Sequence, residues 1–223
     1  MQYLKHLILD KGFVSLVSTM GDDKAIADAA RVSTGSKGNE ARDAKLIAYL
    51  YKHSHMTPFE MCEAKFHIKA PLFITRQWMR HRAGSFNEAS ARYKELEPEF
   101  YIPSPTEYRT PHPTNKQASG GLLHASVGRE ANRHVTDASY NAWYNYKELL
   151  NMGVVREQAR MVLPTNIYTE FYWKVDLRNL LGFLALRNHE GAQSEIQAYA
   201  RAIQLMVRDW VPVTAREAFA HEG

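Results

Sequence analysis

A strict alternation of apolar and polar side chains over residues 60–69 constrains the fold of this chain more than any other pattern. The apolar members are Cys62, Ala64, Phe66 and Ile68, and the polar members are Glu63, Lys65 and His67. Successive side chains of a β-strand point to opposite faces, so this period of two predicts a strand with one buried face. The chain is therefore expected to contain a sheet.

A second apolar pattern, near the end of the chain, has the period of a helix. Its members are Ala192, Ile196, Tyr199, Ile203, Met206 and Trp210. Intervals of three and four residues place these side chains on one helical face. The two patterns together predict an α+β protein, with a small, mostly antiparallel sheet packed with several long helices.

The remaining elements follow from the same periodicities. Strands are predicted over residues 12–19, 60–69, 86–94 and 166–175. Helices are predicted over residues 23–32, 40–53, 71–82, 122–151, 154–163 and 176–188, and Asp176 is expected to cap the last of these. Residues 33–39 and 103–121 are predicted loops, the second because it is rich in proline and glycine and has little periodicity. Neither is typical of an interdomain linker, so residues 1–223 are expected to form a single domain.

Composition narrows the class of protein. The chain has 223 residues, 45% of them hydrophobic and 23% charged, which is typical of a globular protein. Cys62 is the single cysteine, so no internal disulfide can form. No apolar run approaches the roughly 18 residues of a membrane span, and the first residues lack the apolar stretch of a secretory signal. These observations predict a cytoplasmic protein that engages no membrane.

The arginines are distributed unevenly, although the net charge of +4 is mild for a nucleic-acid-binding protein. Four of them lie within 17 residues, with a histidine among them: Arg76, Arg80, His81, Arg82 and Arg92. Clustered guanidinium groups bind phosphates and carboxylates. The predicted helix 71–82 is too apolar for a free surface helix, so its basic row is expected to face a ligand cavity or a subunit interface. The alternative is a solvated basic face.

The predicted strand 86–94 places a carboxylate, a hydroxyl and a guanidinium on one face: Glu88, Ser90 and Arg92. Serine and arginine suit a phosphate, and a carboxylate can orient a sugar hydroxyl. The alternative is a cross-strand salt bridge with an incidental serine. Because a turn containing Gly84 joins this strand to the basic helix, the pattern favours a binding site.

The joined segment, residues 80–93, carries a recognisable pattern. It consists of Arg80-His81-Arg82, seven further residues and Ser90, with Asn87, Arg92 and Tyr93 also matched. This pattern resembles the signature of the flavin-dependent thymidylate synthases. The resemblance extends along nearly the whole chain and includes Thr57-Pro58-Phe59-Glu60, Phe100-Tyr101-Ile102-Pro103, Ala159-Arg160, Leu163-Pro164, Leu186-Arg187 and Ala192-Gln193.

The resemblance implies reductive methylation of dUMP to dTMP. Methylenetetrahydrofolate would supply the carbon, NADPH the electrons, and FAD would carry the hydride. It also implies a homotetramer whose active sites take residues from more than one subunit. The sequence contains no Gly-rich dinucleotide fingerprint and no Gly-Lys-Ser/Thr loop, so FAD is expected to bind in a non-Rossmann site.

The resemblance also implies roles for individual residues. The dUMP-binding set is Gln77, Arg80, Glu88, Ser90, Arg92, Arg160 and Arg187. The FAD-binding set is His55, Thr57, Arg80, His81, Arg82, Asn87, Glu88, Asp176 and Arg178, with Asp176 and also Gly182 standing where the family is expected to carry asparagine. Arg187 would be the catalytic residue, because it would stabilise the N3-ionised form of the uracil ring.

The position of Arg187 can be assessed without the resemblance. It extends an apolar stripe of the predicted helix 176–188 formed by Leu177, Leu180 and Leu184. An arginine keeps its charge, so at such a position it needs an anionic partner. A ligand is one candidate, and an inter-helix salt bridge is the alternative.

Cys62 is predicted to have a structural role. It lies in the apolar row of its strand, where burial would raise the pKa of the thiol and suppress the thiolate. A hydride-based route through a flavin has no need of that thiolate. The histidines at positions 53, 55 and 67 match no strong metal motif, so no metal site is predicted.

Two other functions compete with this interpretation. A non-catalytic RNA-binding protein would use the arginine cluster together with tyrosine and phenylalanine side chains, and would carry no chromophore. A flavoprotein acting on another nucleotide would bind flavin but form no dTMP.

Overall fold

The computed structural model describes residues 5–36, 38–115 and 118–220, and its centre is a five-stranded antiparallel sheet. The strands, in chain order, are β1 (Lys5–Ile8), β2 (Gly12–Met20), β3 (Glu63–Pro71), β4 (Ser85–Glu88), β5 (Arg109–Pro111), β6 (Ser119–Leu122) and β7 (Tyr168–Asp176). The sheet order is β1-β2-β3-β7-β4, and β5 pairs with β6 in a separate hairpin. The predicted α+β class and antiparallel sheet are confirmed.

Eight α-helices lie within the described ranges. They are α1 (Asp23–Arg31), α2 (Glu40–Lys52), α3 (Leu72–Trp78), α4 (Ala125–Asn151), α5 (Arg156–Ala159), α6 (Leu177–Arg187), α7 (Ser194–Trp210) and α8 (Pro212–Ala218). Two 3₁₀ turns, Thr57–Met61 and Arg160–Val162, complete the set. No helix in these ranges has the length and apolar character required to cross a membrane.

The core lies between one face of the sheet and the helices α6 and α7. The inward row of β3, predicted from the alternation, is buried together with Phe171, Trp173 and Val175 of β7. The predicted stripe of α6 is also confirmed, since Leu177, Leu180 and Leu184 are fully buried. The side chain of Asp176 accepts a hydrogen bond from the backbone N–H of Asn179, so the predicted cap is confirmed.

Helix α3 is shorter than predicted. It ends at Trp78 rather than at residue 82, so Arg80 does not continue the helical row begun by Arg76. The chain leaves the helix early because β4 pairs with β7 from Ser85 onward. Gly84 permits this approach, because a Cβ at that position would lie 2.7 Å from the indole nitrogen of Trp173.

The strand predicted over 86–94 is also too long, because β4 ends at Glu88. β4 is the edge strand of the sheet and pairs with β7. The chain then turns away at Ser90, whose backbone carbonyl accepts a hydrogen bond from Tyr93 N. The Ser90 hydroxyl accepts another from Arg92 N at 3.3 Å, a local turn that competes with strand pairing. Ser90 and Arg92 therefore do not share a strand face with Glu88.

Other predictions need smaller corrections. The predicted strand 60–69 begins at Glu63, because Thr57–Met61 forms a 3₁₀ turn, and the helix predicted over 154–163 divides into α5 and the turn Arg160–Val162. Strand β1 and helix α8 were not predicted. The segment predicted as an irregular loop, 103–121, contains β5 and most of β6.

Candidate active site

Four side chains meet where α3, α6 and α7 converge, and we call them the Arg187 cluster: Gln77, His81, Arg187 and Gln193. Arg187 Nε donates a hydrogen bond to His81 Nε2 at 3.0 Å, and Arg187 Nη2 donates to the backbone carbonyl of Gln77 at 3.4 Å. The side-chain amide of Gln77 donates to Gln193 Oε1. The structure thus brings three predicted site residues into direct contact.

The Arg187 cluster is electropositive and partly buried. Arg187 forms no ion pair with a carboxylate of the described residues, so the salt bridge considered as an alternative is absent from that part of the chain. Partial burial lowers the pKa of Arg187 from its usual value. Burial, and then the charge of Arg187, lowers the pKa of His81. A cation held in this way favours an anionic ligand.

Arg80 and Arg82 flank His81 in the turn that follows α3. Both side chains are exposed, and among the described residues neither has a carboxylate within ion-pair distance. Arg76, one turn earlier on α3, is exposed as well. Free guanidinium groups of this kind are suited to phosphate oxygens.

Glu88 and Arg160 line a second feature, a cavity of about 230 Å³ that we call the Glu88 cavity. Its walls also include Leu72, at the start of α3, and Thr169 of β7. The Thr169 hydroxyl donates a hydrogen bond to Glu88 Oε1 at 2.9 Å, which orients the carboxylate. A cavity with one carboxylate, one guanidinium and apolar walls can hold a polar molecule in a defined orientation.

Ser90 and Arg92 lie in the turn after β4. Arg92 forms an ion pair with Glu157 of α5 at 3.3 Å, and both side chains are more than half exposed. Exposed ion pairs contribute little stability, so an anionic ligand can compete with Glu157 for this guanidinium.

The remaining predicted residues lie at the other end of α6 and on β4. Arg178 forms an ion pair with Glu60 in the 3₁₀ turn that also contains Thr57, and Asp176 caps the same helix. Asn87 is exposed on β4, and His55 is exposed next to Tyr49, with 6.0 Å between ring centroids. Helix α6 has 11 residues and spans roughly 16 Å, which separates this group from Arg187.

Three separate groups can therefore be distinguished within one chain, while Arg80, Arg82, Ser90 and Arg92 lie in the turns that follow α3 and β4. No hydrogen bond or ion pair in the described ranges joins the Arg187 cluster, the Glu88 cavity and the group around Arg178. Helix α3 connects the first two, since Leu72 lines the Glu88 cavity and Gln77 belongs to the Arg187 cluster. Within the described residues of a single chain, the structure does not assemble the predicted residues into one closed site.

Comparison with known proteins identifies the family. The model of the family described as thymidylate synthase complementing protein matches residues 15–213. A flavin-dependent thymidylate synthase of Thermus thermophilus is 53% identical over 207 residues, which cover 92% of this chain and 75% of that protein. This chain belongs to the flavin-dependent thymidylate synthase family.

A second relative and a solved structure support this assignment. A flavin-dependent thymidylate synthase of Ehrlichia ruminantium (strain Gardel) is 48% identical over 218 residues, which cover 95% of this chain and 72% of that protein. The fold resembles that of PolB, a UMP/dUMP methylase of Streptomyces cacaoi crystallised with 5-Br UMP, with a TM-score of 0.85 and 34% identity. That match covers 96% of this chain and 95% of PolB.

Cys62 is fully buried in this family member, as the alternation predicted. Its thiol lies 3.5 Å from the backbone carbonyl oxygen of Asp22. Burial, followed by the charges of Asp22 and Asp23, raises the pKa of Cys62 to about 11. The thiol is therefore almost entirely protonated at neutral pH and is a poor nucleophile.

Two contact residues of the site were missed by the residue-level prediction. Thr169 falls in a segment predicted only as a strand, although it occupies the inward row of β7 with Phe171 and Trp173. A buried threonine in an otherwise apolar row is a signal for a polar partner. Gln193 enters the prediction only through the family resemblance, because its contact with Gln77 joins positions 116 residues apart and has no local signal.

Proposed function

We propose that this chain catalyses the reductive methylation of dUMP to dTMP, with methylenetetrahydrofolate as carbon donor and NADPH as reductant. The observation that carries the proposal is Arg187, a partly buried guanidinium held by His81 and Gln77 with no carboxylate partner among the described residues, in a chain of the flavin-dependent thymidylate synthase family. When bound, FAD supplies the hydride, so the reaction needs no thiolate nucleophile.

The residues present fit a flavin dinucleotide. Arg80, Arg82 and Arg178 offer guanidinium groups for its pyrophosphate, and Asn87, His55 and Thr57 offer further polar side chains. Arg80 and Arg82 are free of carboxylate partners in the described ranges, whereas Arg178 would exchange Glu60 for the ligand. We assign the flavin site to these side chains, together with His81, Glu88 and Asp176, and describe it as non-Rossmann.

For dUMP, we assign the phosphate to Ser90, Arg92 and Arg160, and the sugar to Glu88. The uracil ring is assigned to Gln77, Arg80 and Arg187. A guanidinium fixed beside the ring stabilises negative charge on N3 and O4, and it does so without reorganising, because its hydrogen bonds are already in place. Thr169 supports this assignment, since its hydroxyl donates a hydrogen bond to the carboxylate of Glu88 at the wall of the cavity.

We also propose a homotetramer in which neighbouring subunits complete each site. The separation of the three groups within one chain supports this arrangement. So does α4, a 27-residue helix whose side chains Tyr140 and Tyr144 are 51% and 63% exposed. Aromatic side chains are enriched at subunit interfaces, and these two tyrosines lie one turn apart on one helix. Each subunit is proposed to be a single cytoplasmic domain.

The direct test uses the purified protein. A flavin absorbance spectrum, bleached by NADPH, followed by dTMP formation from dUMP and methylenetetrahydrofolate, is the expected result. UMP serves as a parallel substrate, because the structural neighbour PolB is described as a methylase of both UMP and dUMP. Bound flavin without dTMP would instead indicate a flavoprotein acting on another nucleotide. A colourless protein that binds RNA would overturn the proposal altogether.

Replacement of Cys62 provides a test of the thiolate-free route. We expect Cys62→Ala to form dTMP at a rate within about twofold of the wild type, since a buried, protonated thiol contributes no nucleophile. Initial rates at saturating dUMP measure the effect, and far-ultraviolet circular dichroism verifies the fold. A folded variant without activity would contradict the assignment.

A further inference from the structure

The contact between Arg187 and His81 fixes the protonation state of the histidine. An arginine side chain carries hydrogen-bond donors and no acceptor. Because Arg187 Nε lies 3.0 Å from His81 Nε2, that imidazole nitrogen must present its lone pair. The imidazole is then neutral, and its single proton resides on Nδ1.

Both partners are held by rigid elements. The His81 backbone N–H donates to the carbonyl of Trp78, and the imidazole meets the edge of the Phe183 ring with 4.9 Å between centroids. Phe183 and Arg187 lie one turn apart on α6, so a single helix supplies both the apolar contact and the hydrogen-bond donor. The geometry is therefore set by α6 and by the turn that follows α3, whose hydrogen bond to the Trp78 carbonyl fixes the backbone of His81.

Charged groups around His81 oppose its protonation. Arg187 faces it from α6, while Arg80 and Arg82 flank it along the chain. No carboxylate of the described residues lies within ion-pair distance of the imidazole. Consistent with these surroundings, burial and the charge of Arg187 lower the pKa of His81 from the ordinary value of 6.5.

We propose that His81 is a positioning residue for Arg187: its neutral imidazole accepts the Nε–H of the arginine and holds the guanidinium in place, and protonation of His81 releases it. The consequence for dUMP affinity rests on the proposed function. The histidine contact engages Nε and Gln77 engages one Nη group, which leaves the other Nη group for a ligand.

The lowered pKa of His81 makes the stability of the fold depend on pH. His81 binds its proton less readily in the folded than in the unfolded chain, so the unfolded chain holds more protons between the lowered pKa and about 6.5. Stability and the arginine contact are intact above this window, and both decrease as the pH falls through it. The contact between Arg187 and His81 is therefore intact at neutral pH and weakened in mild acid.

Calorimetric titration of the flavin-loaded protein with dUMP between pH 5 and pH 8 tests the proposal. His81→Gln keeps an acceptor at the position of Nε2, but its side chain does not titrate. Because the dUMP phosphate itself has a pKa of about 6, the same variant also measures how protonation of the phosphate affects binding. We expect the ratio of wild-type Kd to His81→Gln Kd to increase at least fivefold from pH 7.5 to pH 5. His81→Leu is expected to bind weakly at every pH. A ratio that stays constant overturns the proposal.

A second measurement does not depend on dUMP. In protein labelled with ¹⁵N-histidine and ¹⁵N-arginine, the His81 and Arg187 side-chain resonances are assigned by their absence in His81→Gln and Arg187→Lys. At pH 7.5 we expect Nδ1 to be protonated and Nε2 to be unprotonated, and we expect the Arg187 Nε–H signal to lose its protection from exchange as His81 titrates. The opposite tautomer, or an Arg187 signal insensitive to that titration, overturns the proposal. If this result holds and dUMP does not bind, the failure lies with the proposed function alone.

Discussion

Arg187→Ala is expected to lower kcat for dTMP formation by about 100- to 1,000-fold, the cost typical of losing one preorganised donor to developing negative charge. The guanidinium is partly buried, and its orientation is fixed through His81 Nε2 and the Gln77 carbonyl. Alanine removes both the charge and the donors. Water entering the space solvates the uracil anion less effectively, because its dipoles must reorganise during the reaction.

Steady-state rates with dUMP as the varied substrate measure this effect, with size-exclusion chromatography to verify assembly. Arg216→Ala is the matched control, since Arg216 is an exposed arginine of α8 whose ion pair within the described part of the chain is with its neighbour Glu217 alone. Arg187→Lys separates charge from geometry: it retains the positive charge but cannot reproduce the forked contact, so its rate is expected to lie between those of the wild type and the alanine variant. Wild-type turnover in Arg187→Ala would remove Arg187 from the chemistry.

Periodicity in the sequence was enough to predict the elements that carry the core. The alternation around Phe66 identified β3, and the three-to-four spacing of α6 placed Arg187 at the end of a buried stripe. Such patterns predict the elements correctly because the burial of a whole face outweighs the secondary-structure preference of any one residue. For the same reason, Cys62 could be assigned to the core from its position in the alternating row.

Local patterns failed where long-range pairing decides the structure. The end of α3 depends on where β4 begins to pair with β7, and the end of β4 depends on the turn at Ser90. Strand β1 was missed because it has only four residues and exposes Leu7, and α8 was missed because it has only seven. The spacing of apolar residues in these segments does not show where the elements begin and end.

The candidate site was predicted in its residues but not in its arrangement. The match to the signature over 80–93 specified the guanidinium groups, yet the division into the Arg187 cluster, the Glu88 cavity and the group around Arg178 became visible only in the fold. The contacts of Arg187 with His81 and Gln77 span more than 100 residues of chain. Contacts between residues so far apart in sequence leave no local pattern, so they become visible only in the three-dimensional structure.

Trp78→Ala is expected to reduce the free energy of unfolding by about 3–5 kcal/mol, the usual cost of removing a large buried aromatic side chain. Trp78 is fully buried at the end of α3. Its ring contacts four others, with centroid distances of 5.6 Å to Phe171, 5.4 Å to Trp173, 4.9 Å to Phe183 and 5.7 Å to Tyr199. These rings belong to β7, α6 and α7, so one side chain joins α3 to three elements of the core.

The alanine variant should also weaken the site, because the Trp78 carbonyl accepts the backbone N–H of His81 and the same residue follows Gln77 directly. Urea denaturation followed by circular dichroism at 222 nm measures the free energy of unfolding, and dUMP titration at urea concentrations below the transition measures the affinity of the site.

Trp78→Phe is the graded control. The indole N–H has no acceptor among the described residues, so phenylalanine removes an unfavourably buried donor along with part of the ring volume. We expect a loss of about 1 kcal/mol for this variant, close to that of a modest core truncation. If the alanine variant were as stable as Trp78→Phe, the tryptophan could not be the side chain that holds α3 against the sheet.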